Sequence, residues 1–278
     1  MIFNESNTIE AFIRDQLCGG IDHATTIDNG LAHQNNQISG LGWNFISKNN
    51  LPRQPQDVLI EQYLRSSLIR LNPRIAENPQ RVDEVLYRLR AIIISVRNDG
   101  LVKANEEFAS WLTGKKSMPL GKNGEHITIN LIDFDDINQN QYVITQQYTF
   151  IAGRIEKRAD LVLLINGIPL VVIEAKTPVR ASQSWLDGAI QVHQDYEKNI
   201  PELFVPNIFS IATEGKELRY GSICMPVEYW GPWRSQDSNT SSSMEEIGKV
   251  LKSMLRPNIV LDLLANFTAY STNKEKRR

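Results

Sequence analysis

Cysteine is scarce. Cys18 and Cys224 are the only two in 278 residues, and they form no Cys-x-x-Cys pair. That excludes a disulfide framework and a cysteine-ligated zinc module, and it points to a reducing compartment, the cytoplasm. Long apolar runs are missing too. The longest, such as 161–165 and 170–173, fall far short of the roughly 20 residues that span a bilayer. The opening Met-Ile-Phe-Asn-Glu has neither the basic start nor the apolar stretch of a secretory signal, so no membrane partner is expected. Neither sign of charge dominates: 30 Lys and Arg face 32 Asp and Glu, a net −2. The chain is no polycationic coat, although a local basic face stays open. His23, His33, His126 and His193 share no metal-ligand spacing. Gly114-Lys-Lys-Ser117 lacks the earlier glycine of a phosphate loop, so ATP binding by this chain is not expected. No Gly-x-Ser-x-Gly elbow occurs. What remains is an ordinary globular composition, 41% apolar and 22% charged, enough for one large or two modest domains.

Periodicity orders the elements. Ile9, Phe12, Ile13 and Leu17 stand near helical spacing over 4–17, and the polar stretch 19–40 reads as a loop before a short strand at 41–46. Val58, Leu59, Tyr63, Leu64 and Leu68 predict a helix over 57–71, capped by Asp57 and stopped at Asn72-Pro73. Helices near 80 onward and over 102–112 follow. The period then shortens: 126–132 and 141–151 read as strands. A helix over 182–199, strands at 207–213 and 217–220, a polar loop at 234–243 and two short helices at 244–255 and 258–269 complete an α/β or α+β sandwich.

One stretch carries chemistry. Two apolar runs, 161–165 and 170–173, flank Asn166-Gly167, the strongest short-range hairpin signal. Arms apolar on both faces belong at the centre of a covered sheet. Asp160 heads one arm; Glu174 and Lys176 end the other, two apart and therefore on one face. A two-residue turn places Asp160 opposite Ile173, whereas a three-residue loop or a bulge places it opposite Glu174. The second arrangement is preferred because it unites the three ionisable groups. Two adjacent carboxylates repel, and a divalent cation is the usual remedy. Oxygen ligands from Asp160, Glu174 and the Ala175 carbonyl suit Mg²⁺, with Mn²⁺ as substitute. Lys176 beside them would orient a water and balance transition-state charge: metal-assisted phosphodiester hydrolysis.

The run from Arg158-Ala-Asp160 through Asn166-Gly-Ile-Pro169 to Glu174-Ala-Lys-Thr-Pro178 resembles the nuclease core of the R (restriction) subunit of type I restriction–modification enzymes, in the PD-(D/E)xK superfamily. Asn4-Glu-Ser-Asn-Thr8, Leu41-Gly-Trp43, Leu71-Asn-Pro73, Leu131-Ile-Asp-Phe134, Ile200-Pro-Glu-Leu-Phe204 and Gly221-Ser222 are similar to family landmarks in the same order. The resemblance implies a restriction-endonuclease-like α/β core, a central mixed β-sheet flanked by helices, with an N-terminal helical elaboration and C-terminal helices. It divides the chain into a nuclease domain over 1–225 and a flexible loop with a helical segment over 226–278, leading toward a motor domain not included here.

By the same resemblance Asp160, Glu174 and Lys176 are the catalytic set and Glu10, ahead of Glu5, the N-terminal helical glutamate. Gln147 would hold a scissile-phosphate oxygen or a water. The family's Gln-x-x-x-Tyr element is only partly matched: Tyr196 is in place, but position 192 is Val and Gln191 lies one step off, about 100° round a helix. Lys157, Arg158, Arg180 and Lys198 are candidate phosphate contacts, and Trp185 could touch DNA. The expected function is Mg²⁺-dependent cleavage of double-stranded DNA. ATP would act only in the full-length enzyme, alongside its motor domain and the methyltransferase and specificity subunits. The alternatives are a non-catalytic DNA-clamping or motor-docking module and a stand-alone repair nuclease.

Overall fold

The computed structural model describes residues 6–21, 37–38, 40–177, 183–234 and 243–271. Six strands form the central sheet: β1 (Asn44–Phe45), β2 (Tyr142–Ala152), β3 (Ile155–Ile165), β4 (Ile168–Ala175), β5 (Phe209–Thr213) and β6 (Leu218–Gly221). They lie side by side in chain order. β1 with β2 and β4 with β5 run parallel and the other pairs antiparallel, so the sheet is mixed. From Leu161 to Ile165, and throughout β4, every residue is buried, as apolar runs without alternation require of strands covered on both faces.

Helices α1 (Ser6–Cys18), α2 (Glu61–Leu71), α3 (Val82–Asp99) and α4 (Leu101–Leu112) precede β2. Each turns one apolar stripe inward: Leu64 and Leu68 on α2; Val85, Leu86, Leu89, Ile93 and Val96 on α3; Ala104, Phe108 and Trp111 on α4. α5 (Trp185–Ile190) opens on a capping box between Ser184 and Asp187. Two further helices, α6 (Met244–Met254) and α7 (Pro257–Asn266), close the chain order. α6 sits so close to α1 that a Cβ on Gly248 would come within 3.2 Å of Phe12 and Gln16. Trp43 Nε1 donates to the Leu255 carbonyl at 2.7 Å, tying β1's entry to the end of α6. Among the described residues no helix is long and apolar enough to cross a membrane.

The β3–β4 hairpin decides where the ionisable groups fall. Asn166 (φ 53°) and Gly167 (φ 81°) form a two-residue turn with both residues left-handed, the geometry for which Asn-Gly is suited. The turn is buried rather than exposed. Asn166 accepts from Gln141 N at 2.8 Å and donates to the Leu131 carbonyl at 2.9 Å and to Asn140 Oδ1 at 2.8 Å. A Cβ at position 167 would stand 2.5 Å from the Ile60 carbonyl. Ile165 pairs with Ile168 and Leu164 with Pro169, after which the register slips and Leu163 pairs with Val171. Of the two ways to bring Asp160 opposite Glu174, the chain therefore uses the bulge. It falls beside Pro169, which has no N–H to give a ladder.

Several expected boundaries change. The stretch 126–132 is strand only at Ile127–Thr128, because the Asn130 backbone is engaged by the Asn72 side chain (2.8 Å in both directions) and not by a sheet. The strand expected at 41–46 shortens to Asn44–Phe45, after Gly42 at φ 100°. Asp57 does not cap α2. It accepts the Gln54 N–H at 2.9 Å, and the helix begins at Glu61, where Ile60 N–H is bound to the Gly167 carbonyl. Ser243 caps α6 by accepting from Glu246 N.

Candidate functional site

Asp160 sits mid-strand on β3, and Glu174 is the penultimate residue of β4. The pairing of Leu161 with Ile173 leads directly to Asp160 opposite Glu174. Asp160 Oδ2 accepts the Ala175 N–H at 2.8 Å. Glu174 is 2% exposed. Its Oε1 takes the Lys176 ammonium at 2.7 Å, while Oε2 is buried with no hydrogen-bond partner. Burial pushes the Glu174 carboxyl up to about 8, with the nearby Asp160 charge adding and Lys176 opposing. Asp160 is raised as well, by burial against the lowering effect of the Ala175 N–H and Lys176. The two neighbouring carboxyls, Glu174 buried and Asp160 half-buried, resist ionising together, and one Glu174 oxygen is orphaned.

Glu10 enters from α1. It is 3% exposed, and burial raises its carboxyl to about 7, with the Gln147 hydrogen bond as the main opposing influence. Gln147 Nε2 donates to Glu10 Oε1 at 2.7 Å and stands 3.5 Å from Asp160 Oδ1, between the two acids. Its position is forced. Gln146 pairs with Leu161 and Tyr148 with Ala159, so Gln147 faces Asp160; yet its φ is 55°, left-handed inside a strand. Such backbone strain collects where a side chain must be aimed. Glu5 and Arg180 lie outside the described residues.

The mismatch at Gln191 has a structural answer. The helix after β4 does not run as one α-helix over 182–199: α5 gives way to a π-turn over Gln191–Tyr196 before a last turn at Glu197–Asn199. A π-turn absorbs one surplus residue, so a five-residue spacing returns Gln191 and Tyr196 to one face. Gln191 Nε2 donates to the Tyr196 hydroxyl, Gln191 Oε1 accepts from Lys176 Nζ at 2.5 Å, and Tyr196 OH donates to the Arg158 carbonyl at 2.8 Å. Glu174, Lys176, Gln191, Tyr196 and the β3 backbone form one chain of contacts.

Among the described residues no group of three or more His, Cys, Asp or Glu side chains stands ready to hold a metal. The acids in direct proximity are Asp160 and Glu174, with Gln147 between Asp160 and Glu10. Of the cationic candidates, Lys157 is paired with Asp195 at 2.8 Å, while Arg158 and Lys198 are exposed. Trp185 lies under the Arg219 guanidinium, 5.3 Å from its ring centre.

Sequence reasoning missed Gly188. A Cβ there would sit 3.3 Å from Ala212 Cβ and 3.4 Å from Glu174 Cγ, so its bare backbone lets α5 lie against Glu174. An isolated glycine inside a helical pattern was the available signal. Gly188→Val should lower stability by about 1–3 kcal/mol through overpacking, with Gly188→Ala costing less; denaturant melts of the two variants check the order.

A family model described as type I restriction enzyme R protein N terminus matches residues 33–223. Among individual proteins, the type I restriction enzyme HindI endonuclease subunit of Haemophilus influenzae is 27% identical over 249 residues, 84% of this chain and 23% of that one. A putative type I restriction enzyme MjaIXP endonuclease subunit of Methanocaldococcus jannaschii is 27% identical over 197 residues, 67% of this chain and 19% of its own. A second from that organism, MjaVIIP, is 30% identical over 158 residues, covering 54% and 14%. The chain thus spans less than a quarter of the length of these relatives. With a match that takes in most of its residues, from the polar stretch before β1 to the end of the central sheet, the chain belongs to the type I restriction enzyme R protein N-terminal family.

Proposed function

We propose that this chain is the DNA-cleaving part of a type I restriction enzyme R subunit, a PD-(D/E)xK-type module that hydrolyses phosphodiester bonds of double-stranded DNA with Mg²⁺, or Mn²⁺ in its place. The observation that carries this reading is the buried, partnerless Glu174 Oε2 beside Asp160. An all-oxygen donor set with surplus negative charge fits a hard divalent cation, and Asp160, Glu174 and the Ala175 carbonyl would hold it. Once bound, the cation would polarise the phosphodiester and lower the pKa of a bound water.

The remaining work falls to the chain's own groups. Lys176, fixed between Glu174 Oε1 and Gln191 Oε1, would offset charge on the attacked phosphoryl group and orient the incoming water. Gln191 and Tyr196 keep that ammonium in place. Glu10, with its carboxyl near 7, would hold or release a proton close to neutral pH, and the Gln147 amide would steady a phosphate oxygen or a water. Site choice and the ATP-driven motor would be supplied by the specificity and methyltransferase subunits and by the rest of the full-length R subunit. Asp160→Ala in the assembled full-length enzyme tests the proposal on plasmid DNA. We expect retained DNA binding with cutting lost; retained cutting would favour a clamping role.

A further inference from the structure

The π-turn that brings Gln191 to Lys176 is held by a second cluster, built on Glu197 and Asp195. Glu197 follows Tyr196 directly and is 7% exposed. Both of its oxygens accept the Cys224 backbone N–H, at 3.2 and 3.1 Å, and Oε2 lies 3.0 Å from His193 Nδ1. Cys224 lies beyond β6 and is itself left-handed, at φ 56°. Asp195 ties the same turn to the sheet through Lys157 on β3, and Asn199 donates back to Asp195. A π-turn is a rare interruption of an α-helix, so it persists where its surroundings favour it. Here a buried carboxylate anchors one end to a main-chain donor that cannot move without the loop after β6.

We infer that Glu197 is a positioning residue: bound to the Cys224 N–H and to His193, it fixes the π-turn and thereby sets Gln191, held in turn by Tyr196, against Lys176. The inference rests on the nuclease reading above, since its effect is exerted through the Lys176 ammonium. A residue that only stabilised the fold would shift melting and leave turnover of the folded protein unchanged. A residue that sets Lys176 lowers kcat and leaves KM for DNA alone, because no DNA contact is altered. The π-turn supplies a second, sharper criterion. Deleting Gln194, an exposed residue inside it, removes the surplus and lets an ordinary α-helix place Gln191 and Tyr196 four apart on one face.

The experiment is plasmid cleavage by the assembled full-length enzyme carrying Glu197→Ala, Glu197→Gln, the Gln194 deletion, or Glu197→Ala with that deletion, with Asp160→Ala as reference. Glu197→Ala should lower kcat about 10-fold or more at unchanged KM. Glu197→Gln, which keeps an acceptor for the Cys224 N–H, should stay within about 3-fold of the parent. The deletion alone should cut like the parent, and combined with Glu197→Ala it should restore most of the lost rate. Parental kcat in Glu197→Ala, or no recovery in the folded double variant, would overturn the inference while a dead Asp160→Ala left the nuclease reading standing. If Glu197→Ala does not fold, loss of cutting by the folded deletion variant overturns it equally. An Asp160→Ala enzyme that still cuts removes the nuclease reading and this inference with it.

Discussion

Lys176→Ala should reduce strand cleavage by about 10²–10³-fold, the range seen when one preorganised charge-stabilising donor is removed, while leaving cation affinity equal or tighter. The two halves of this expectation come from one geometry. The ammonium sits 2.7 Å from Glu174 Oε1 and is only 15% exposed, so it is a fixed charge in a poorly solvated place. On the proposed nuclease reading, its removal would take away the positive charge facing the reacting phosphoryl group. It also frees a carboxylate oxygen and deletes a competitor for any bound cation, so Mn²⁺ titration by calorimetry should show no loss of binding. Parallel losses of binding and cleavage would mean that Lys176 serves only to hold Glu174 in place. Lys176→Arg keeps the charge, but its planar fork cannot occupy the gap between Glu174 and Gln191 in the same way, and cleavage should still fall.

The second large effect is on stability. Glu174 titrates near 8 in the folded chain against an ordinary 4.5, Glu10 near 7, and Asp160 is raised in the same direction. A carboxyl whose pKa is raised by folding stabilises the folded state fully below its unfolded value, and that stabilisation is lost as pH rises through the folded value. The metal-free chain should therefore weaken between pH 4.5 and 8, by several kcal/mol, at about 1.4 kcal/mol for each pKa unit. Mg²⁺ should reverse the loss at the alkaline end, adding about 1.4 kcal/mol for each tenfold excess over Kd. Thermal melts at pH 5.5 and 8.5, with and without 10 mM-range Mg²⁺ (roughly saturating for a weak hydrated-cation site), measure both. Glu174→Gln should reduce the pH dependence to the part carried by Glu10 and Asp160, and abolish the cation response. A melting temperature that rises with pH in the metal-free chain would contradict the burial of these carboxyls.

How much of this was legible beforehand follows from where the information sits. The central hairpin could be read because its arms are apolar without alternation and its turn is Asn-Gly; local pattern and global role agree there. Asp160, Glu174 and Lys176 stood out because charges inside such a pattern need a reason. The choice between a longer loop and a bulge was not legible, since both give the same facing pair. It depends on how the buried Asn166 side chain is held by 131, 140 and 141. Glu10 could be placed on a helix, but its contact with Gln147 joins residues 137 positions apart, and periodicity carries no such information. The Gln191–Tyr196 spacing reads as a mismatch on a regular α-helix, where residues four apart share a face. What converts it into a match is a π-turn anchored by Glu197 on a residue 27 positions downstream. Asp57 failed as a cap for a related reason: α2 begins where Ile60 docks on the hairpin turn at Gly167, a tertiary contact that outweighs local capping preference.

The most direct test of the account is a crystal of this chain grown with Mn²⁺ and measured at the manganese absorption edge. An anomalous peak is expected bonded to oxygens of both Asp160 and Glu174 at about 2.1 Å, as for a small octahedral cation, with Glu174 Oε2 no longer partnerless, and no such peak in Asp160→Ala. A peak away from both carboxylates, or none at saturating Mn²⁺ with Glu174 still bound only to Lys176, would contradict it.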